Sequence, residues 1–217
     1  SVQISSGYQS GTDVLALTGN HPSISSSWNS SEGKLTLSPI GGAEILYTDL
    51  IPAVREIAYQ SSATVSGEKF FSFNIGDANY LPSTDHYYEY VPNEGIDWES
   101  ARIAAQNRTY FGLQGYLATI LTPNEAQLSG EQAAGTGWIG GSDAAAEGVW
   151  RWVTGPEAGT IFWNGDVNGS TPNFAFWNTG EPNNVGDEDY AHVTDPTIGI
   201  LGSWNDLPLV GGAGPYT

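Results

Sequence analysis

Short apolar or alternating runs, separated by clusters of Gly, Ser, Asn and Pro, occupy the first part of the chain. They lie at 14–17, 34–37, 57–59 and 69–75. Runs of this length and spacing are typical of the strands of a small all-β sandwich. A helical turn is expected only at 47–56, and the turn-rich segment 76–83 marks a junction. The pattern predicts a first domain, an all-β sandwich, at residues 1–83.

The pattern changes in residues 84–217. An aromatic strand candidate at 85–90 is followed by apolar residues at helical spacing behind Asp97, namely Trp98, Ala101 and Ala105. The segment 122–125, Thr-Pro-Asn-Glu, has the form of a capping box and predicts a second short helix from Pro123. Beyond it, about 60 residues of Gly, Asn, Pro, Trp and short strands need a cross-link to form a compact domain.

Charge and composition restrict the partners of the chain. It has 217 residues, with 24 acidic and 6 basic side chains, and a net charge of −18. Nucleic acid and anionic membranes repel such a surface, so a cation is the natural partner. The chain has no Cys, which excludes disulfides, thiolate zinc sites and a cysteine nucleophile. Bound metal is therefore the expected cross-link, and no apolar run is long enough to span a bilayer.

Acids and amides are densest at 181–189, Glu-Pro-Asn-Asn-Val-Gly-Asp-Glu-Asp, followed by Asn205 and Asp206. A solvated acidic loop is one interpretation. Against it, tryptophans flank the segment at 177 and 204, and no Lys or Arg follows Arg151. Mixed carboxylate and amide oxygens suit calcium, whereas magnesium keeps most of its waters and zinc needs His or Cys. His192 is expected beside a strand rather than on a metal.

These motifs resemble those of the C-type lectin domain of the mannose, glucose and fucose binding type. Four segments carry the resemblance: Glu-Pro-Asn at 181–183 (EPN), Trp-Asn-Asp at 204–206 (WND), Trp-Ile-Gly-Gly at 138–141 and Gly-Tyr-Leu-Ala-Thr-Ile at 115–120. Their order and spacing agree with the family from about residue 87 to 209. The resemblance implies an α+β domain at 84–217, with two short helices, small antiparallel sheets and long loops organised by calcium.

The resemblance also implies the site residues. A sugar-binding Ca²⁺ would be held by Glu181, Asn183, Glu188, Asn205 and Asp206. A second Ca²⁺ would be held by Asp143, Glu147, Asn184 and Asp189. Val185, next to the loop, is expected either to touch the sugar or to pack. Pro182 is a candidate cis proline, because the family's turn requires that isomer.

A calcium ion accepts up to eight oxygens, so five protein ligands leave room for two vicinal sugar hydroxyls. Each hydroxyl can donate to a carboxylate and accept from an amide NH₂. In the family, the EPN order goes with mannose, glucose or fucose, and the reversed QPD order goes with galactose. The implied function is calcium-dependent binding of mannose, glucose or fucose type glycans. The alternative is a lectin-like fold that binds protein or ice and uses calcium only for rigidity.

The first domain loosely resembles the cadherin-like or Ig-like repeats of bacterial surface adhesins, through Gly-Tyr-Gln-Ser-Gly-Thr-Asp-Val-Leu at 7–15 and Glu-Gly-Lys-Leu-Thr-Leu at 32–37. This resemblance implies a spacer within a long multidomain adhesin that binds glycans at the cell surface, outside the cell. The expected partners include no nucleic acid and no membrane that the chain inserts into.

The chain departs from the lectin pattern in its cysteines, since Tyr190 and Leu209 stand where the family has them. The family also ends on a strand, for which Tyr216 is one candidate and a strand of the first domain is the other. An enzyme is not expected, because the sequence has no GxSxG, HExxH, Walker or dinucleotide motif. A glycosidase would need one acid kept protonated in an apolar setting, whereas these acids lie among amides.

Overall fold

The computed structural model describes residues 1–42, 44–64, 67–74, 78–131, 136–195 and 197–212. The chain divides into two compact units, Ser1–Glu89 and Tyr90–Thr217. Each unit has its own core and is described separately. Tyr216, the candidate closing strand, lies outside the described residues.

Within the described residues, the first unit has eight strands and one α-helix. The strands are β1 (Val2–Ser6), β2 (Asp13–Leu17), β3 (Ile24–Asn29), β4 (Lys34–Pro39), β5 (Ile57–Ser61), β6 (Phe70–Phe73), β7 (Asn79–Leu81) and β8 (His86–Tyr88). One sheet has the order β3-β4-β1-β6, and β2-β5 and β7-β8 form antiparallel pairs. A 3₁₀ turn at Ile40–Gly42 precedes helix α1 (Tyr47–Arg55), which lies where the sequence allowed a helical turn.

Buried side chains from the four-stranded sheet, from β2 and from the segment between β1 and β2 form the core of this unit. They are Val2, Ile4, Tyr8, Leu15 and Leu35. At its edge, Asp13 is 1% exposed and lies 2.6 Å from Lys69 Nζ through Oδ2. The structure differs from the expected boundary at residue 83. Residues 86–88, predicted to open the second domain, pair with β7 and so belong to the first unit.

The second unit is built on a five-stranded antiparallel sheet in the order β13-β12-β11-β14-β15. Its strands are β11 (Gly137–Ser142), β12 (Val149–Trp152), β13 (Ile161–Asn164), β14 (Tyr190–Val193) and β15 (Trp204–Leu207). A small hairpin pairs β9 (Thr109–Tyr110) with β10 (Leu113–Gln114). The helices are α2 (Trp98–Gln106) and α3 (Pro123–Ala126), and a π-helical segment at Gln127–Glu131 follows α3.

Helix α3 begins at Pro123, as predicted, and helix α2 lies in the segment after Asp97 where the apolar spacing predicts a helix. Asp97 caps α2 by accepting a hydrogen bond from Ser100 N at 2.8 Å. Thr122 caps α3 by accepting one from Glu125 N at 3.2 Å. The Glu125 carboxylate in turn accepts from the Thr122 hydroxyl and from Leu121 N. These contacts satisfy N–H groups that have no partner within the helix.

Aromatic residues dominate the core of the second unit. Trp152 stacks on Phe162 with ring centroids 4.3 Å apart, and Trp204 meets both rings edge-on. The buried cluster consists of Ile120, Ala126, Ile139, Trp150, Trp152, Phe162, Ala191, Val193 and Trp204. Because Trp204 is 0% exposed, the strand that carries Asn205 and Asp206 is anchored directly in this core. Among the described residues, no helix is long and apolar enough to cross a membrane.

Candidate functional site

The loop after Gly180 packs against the end of strand β15. Its Glu181–Pro182 peptide bond is cis, as the sequence predicted. The Asp206 carboxylate, which is 0% exposed, accepts hydrogen bonds from the backbone N–H groups of Asn183 and Asn184 at 2.9 to 3.2 Å. Asp206 therefore ties the EPN loop to the sheet.

The five residues predicted for the sugar-binding ion lie on this loop and on this strand. Asn183 Oδ1 and Glu188 Oε2 both accept a hydrogen bond from Val185 N, at 2.9 and 3.1 Å. Asn205 Nδ2 donates to Asp206 O at 2.9 Å and lies 3.2 Å from His192 Nε2. Glu181 Oε2 is buried and, within the described part of the chain, accepts no hydrogen bond.

Carboxylates crowd this part of the unit, and among the described residues none of them forms an ion pair with Lys or Arg. Burial first, and then the charges of Asp206 and Glu188, raise the pKa of Glu181 to about 7. Burial and the charge of Asp206 also raise the pKa of Glu188. Such shifts mean that each acid would be stabilised as a carboxylate by a nearby positive charge. No Lys or Arg follows Arg151 in the sequence, so a cation bound here would supply the positive charge that these acids lack.

The four residues predicted for the second ion meet where the EPN loop approaches the segment after β11. Asn184 Nδ2 donates to Glu147 Oε1 at 2.7 Å, and Asn184 Oδ1 accepts from Glu188 N at 2.7 Å. Asp143 is 2% exposed, and its Oδ2 accepts from Gly148 N, while its Oδ1 is buried without a hydrogen bond from any described residue. Burial, followed by the charges of Glu147 and Asp189, raises the pKa of Asp143 to about 7.

Two acids outside the predicted ligand sets, Asp187 and Asp166, also lie here. Carboxylate oxygens of Glu147, Asp187 and Asp189 lie within 4.8 Å of one another. The sequence signal for Asp187 as a site residue is its place in the acidic run, two residues before Asp189. Asp166 lines a pocket of about 350 Å³ together with Asp143, Glu147 and Asn184. Next to Asp166, Gly165 N donates a hydrogen bond to Gly148 O at 2.7 Å, and this contact holds the segment of Asp166 at the pocket.

The donor chemistry of both groups fits calcium. Carboxylate and amide oxygens are the ligands that calcium prefers. Glu181 and Asp143 each have a buried oxygen that has no hydrogen-bond partner in the described part of the chain, and an ion satisfies oxygens of this kind. His192, in contrast, lies in strand β14 and is 8% exposed. Burial lowers its pKa to about 4, so the imidazole is neutral near pH 7. Val185, next to the first group, is 71% exposed and is free to meet a ligand.

Two curated relatives and one solved structure represent the known proteins to which the chain is similar. No family model matches the chain. The chain is 37% identical over 203 residues to Halomucin of Haloquadratum walsbyi (strain DSM 16790 / HBSQ001), covering 88% of this chain and 2% of Halomucin. It is 31% identical over 120 residues to the CD209 antigen of Symphalangus syndactylus, covering 54% of this chain and 26% of that antigen. The chain therefore spans a small part of each relative.

Among solved structures, the chain is similar to the mouse scavenger receptor C-type lectin carbohydrate-recognition domain. The sequence identity is 20% and the TM-score is 0.40, and the match covers 64% of this chain and 85% of that one. The similarity to CD209 antigens supports a C-type lectin-like fold, with small antiparallel sheets and few helices, for about half of the chain.

Proposed function

We propose that residues 90–217 bind Ca²⁺ and, through it, glycans of the mannose, glucose or fucose type. The observation that carries this proposal is the group of carboxylates around Asp206, where Glu181 has a buried oxygen that accepts no hydrogen bond from any described residue. No Lys or Arg follows Arg151 in the sequence. The similarity to the CD209 antigen over about half of the chain is consistent with it.

The ion would be held by Glu181, Asn183, Glu188, Asn205 and Asp206. When bound, it supplies a positive charge and open coordination positions that sugar hydroxyls can fill. The protein's part is to hold the oxygens in place beforehand. Asp206 fixes the loop backbone through Asn183 N and Asn184 N, so little ordering remains to be done when the ion binds.

The same side chains would then recognise the sugar. A vicinal diol can donate to the carboxylates and accept from amide N–H groups, so the EPN order would select a particular pair of hydroxyls. Val185 would contact the sugar's apolar face, since it is exposed beside Asn183. For a monosaccharide we expect a weak affinity, with a Kd on the order of 1 mM. Useful adhesion would come from several copies or from a polymeric ligand.

A second Ca²⁺ would be held by Asp143, Glu147, Asn184 and Asp189, with Asp187 nearby. The role of this ion would be structural. Asn184 of the EPN loop donates a hydrogen bond to Glu147 and so joins the EPN loop to the segment that carries Glu147. The first unit would serve as a β-sandwich spacer of the cadherin-like or Ig-like kind. The whole would act as an adhesion module of a longer protein, outside the cell and at its surface.

Retention on mannose-agarose or fucose-agarose tests the proposal. The chain should be retained in calcium and released by a chelator, and Glu181→Gln should abolish retention. Glu94→Gln is the matched control, because it removes the same charge from an exposed residue of the same unit. Retention that survives chelation would refute the mechanism. Calcium binding without retention of any sugar would favour the alternative, a lectin-like fold that binds protein or ice.

A further inference from the structure

Three side chains lie in a row across three neighbouring strands of the second unit. In the register of the sheet, Trp138 of β11 is opposite His192 of β14, and His192 is opposite Asn205 of β15. Directly opposed residues of antiparallel strands project from the same face, so the three side chains are neighbours. Asn205, at one end of this row, is a proposed calcium ligand, and Trp138, at the other end, lies on the middle strand of the sheet.

The contacts along the row are specific. The rings of Trp138 and His192 meet edge-to-face with centroids 5.9 Å apart, and Trp138 Nε1 is itself held by Ile96 O at 2.8 Å. His192 Nε2 lies 3.2 Å from Asn205 Nδ2. Asp206 O can only accept, so the amide nitrogen of Asn205 faces both Asp206 O and His192 Nε2. His192 then accepts through Nε2 and carries its ring proton on Nδ1, which is buried and has no hydrogen bond among the described residues.

This contact decides which end of the Asn205 amide is available to a ligand. Asn205 Nδ2 donates both to His192 Nε2 and to Asp206 O, which accounts for its two hydrogens. Asn205 Oδ1 accepts no hydrogen bond from the described part of the chain. If the amide were turned over, its oxygen would face two acceptors and its nitrogen would face the ion, which is unfavourable at both ends.

We infer that His192 is a positioning residue of the proposed calcium site, which acts by holding the amide nitrogen of Asn205 so that Oδ1 is directed to the ion. The inference rests on the proposed function and adds a residue that lies outside the ligand set. Groups that orient a metal ligand commonly change metal affinity by 10-fold to 100-fold when they are removed. Asn205 would be one of five residues that hold the ion, so we expect a change in calcium affinity at the lower end of that range.

Calcium titration of two variants tests the inference. His192→Phe keeps a ring against Trp138 and removes the acceptor, so calcium affinity should fall about tenfold. His192→Gln places an acceptor oxygen at a similar distance from the backbone, so it should restore the affinity to within about threefold of the unchanged chain. His86→Phe, in the first unit, is the control and should leave the affinity unchanged.

Titrations by calorimetry should be accompanied by tryptophan fluorescence in chelator, which reports whether each variant is folded. If His192 had a purely structural role, His192→Phe and His192→Gln would lower the calcium affinity to the same extent, and this result would overturn the inference. Equal calcium affinity of His192→Phe and the unchanged chain would overturn it as well, while leaving the proposed function standing. Absence of calcium binding by the unchanged chain would overturn both.

Discussion

Tyr190 packs its ring against Trp98, with ring centroids 4.8 Å apart and an angle of 36° between the planes. Trp98 N also donates a hydrogen bond to Leu209 O at 3.0 Å. Tyr190 and Leu209 are the two positions at which the resemblance leads one to expect cysteines. Tyr190 and Leu209 therefore both contact the same tryptophan of helix α2. These contacts restrain the chain at two positions where the family has cysteines.

We expect Tyr190→Ala to lower the free energy of unfolding by about 2 kcal/mol, since it removes an aromatic pair and leaves a gap beside Trp98. Tyr190→Phe keeps the ring and should cost less than about 0.5 kcal/mol. Urea unfolding followed by tryptophan fluorescence measures both, because seven of the eight tryptophans lie in residues 84–217. Equal losses for the two variants would show that the ring contact is not the stabilising feature.

Calcium should reverse the effect of Glu181→Gln on stability. In chelator the variant removes repulsion with Asp206 and Glu188, so the free energy of unfolding should rise by roughly 1 kcal/mol. In calcium the unchanged chain gains about 2.7 kcal/mol when the free ion is 100 times its Kd, and the variant loses most of this gain. Thermal unfolding in the two conditions measures the reversal.

Glu94→Gln is the control for this reversal and should stay within about 0.5 kcal/mol of the unchanged chain in both conditions. If calcium stabilised Glu181→Gln as strongly as the unchanged chain, Glu181 would not be a ligand. If calcium stabilised neither protein, the carboxylate group would need another explanation.

The first unit should lose stability in acid through Asp13. Burial acts to raise the pKa of Asp13, but hydrogen bonds, led by that from Lys69, outweigh it and hold the pKa below its ordinary value of 3.8. The folded state therefore binds this proton less readily than the unfolded state does. The stabilisation is complete above the unfolded value and is lost as the pH falls through the folded value.

Asp13→Asn should cost about 3 kcal/mol at pH 7, because it leaves Lys69 Nζ without its charged partner. The difference from the unchanged chain should shrink as the pH falls from 4 to 3. Urea unfolding followed by circular dichroism at each pH measures it, with the exposed Glu68→Gln as the control. A difference that stays constant from pH 7 to 3 would contradict the pKa argument.

Features that depend on neighbouring residues could be predicted from the sequence. The caps at Asp97 and Thr122 are local contacts within three residues, and both helices begin where these residues indicated. The cis peptide bond before Pro182 could be predicted because the tripeptide Glu-Pro-Asn resembles the family's motif, whose turn requires that isomer. The predicted ligands that lie on the EPN loop and on β15 are brought together by hydrogen bonds between Asp206 and that loop.

Features that depend on long-range pairing could not be predicted. His86–Tyr88 was assigned to the second domain, yet it pairs with Asn79–Leu81, because aromatic composition does not specify a strand's partner. Asp166 reaches the pocket through a backbone contact between Gly148 and Gly165, which no side-chain pattern reveals. His192 looked like an ordinary strand residue, and only the register of β14 with β15 places it on Asn205.

Exchanging the order of the two loop ligands should change sugar preference. The double variant Glu181→Gln with Asn183→Asp keeps the oxygen ligands but exchanges the positions of carboxylate and amide, so the hydrogen-bond pattern offered to a diol is reversed. We expect the preference to move from mannose towards galactose. Competition binding with both monosaccharides measures it. An unchanged order of preference, with calcium still bound, would show that this loop does not select the sugar.

A glycan array probed in calcium and again in chelator tests the claim that a calcium ion held around Asp206 forms part of the glycan-binding surface. We predict binding to mannose, glucose or fucose type glycans in calcium and loss of that binding in chelator. The same glycans bound equally strongly in both conditions would contradict the claim.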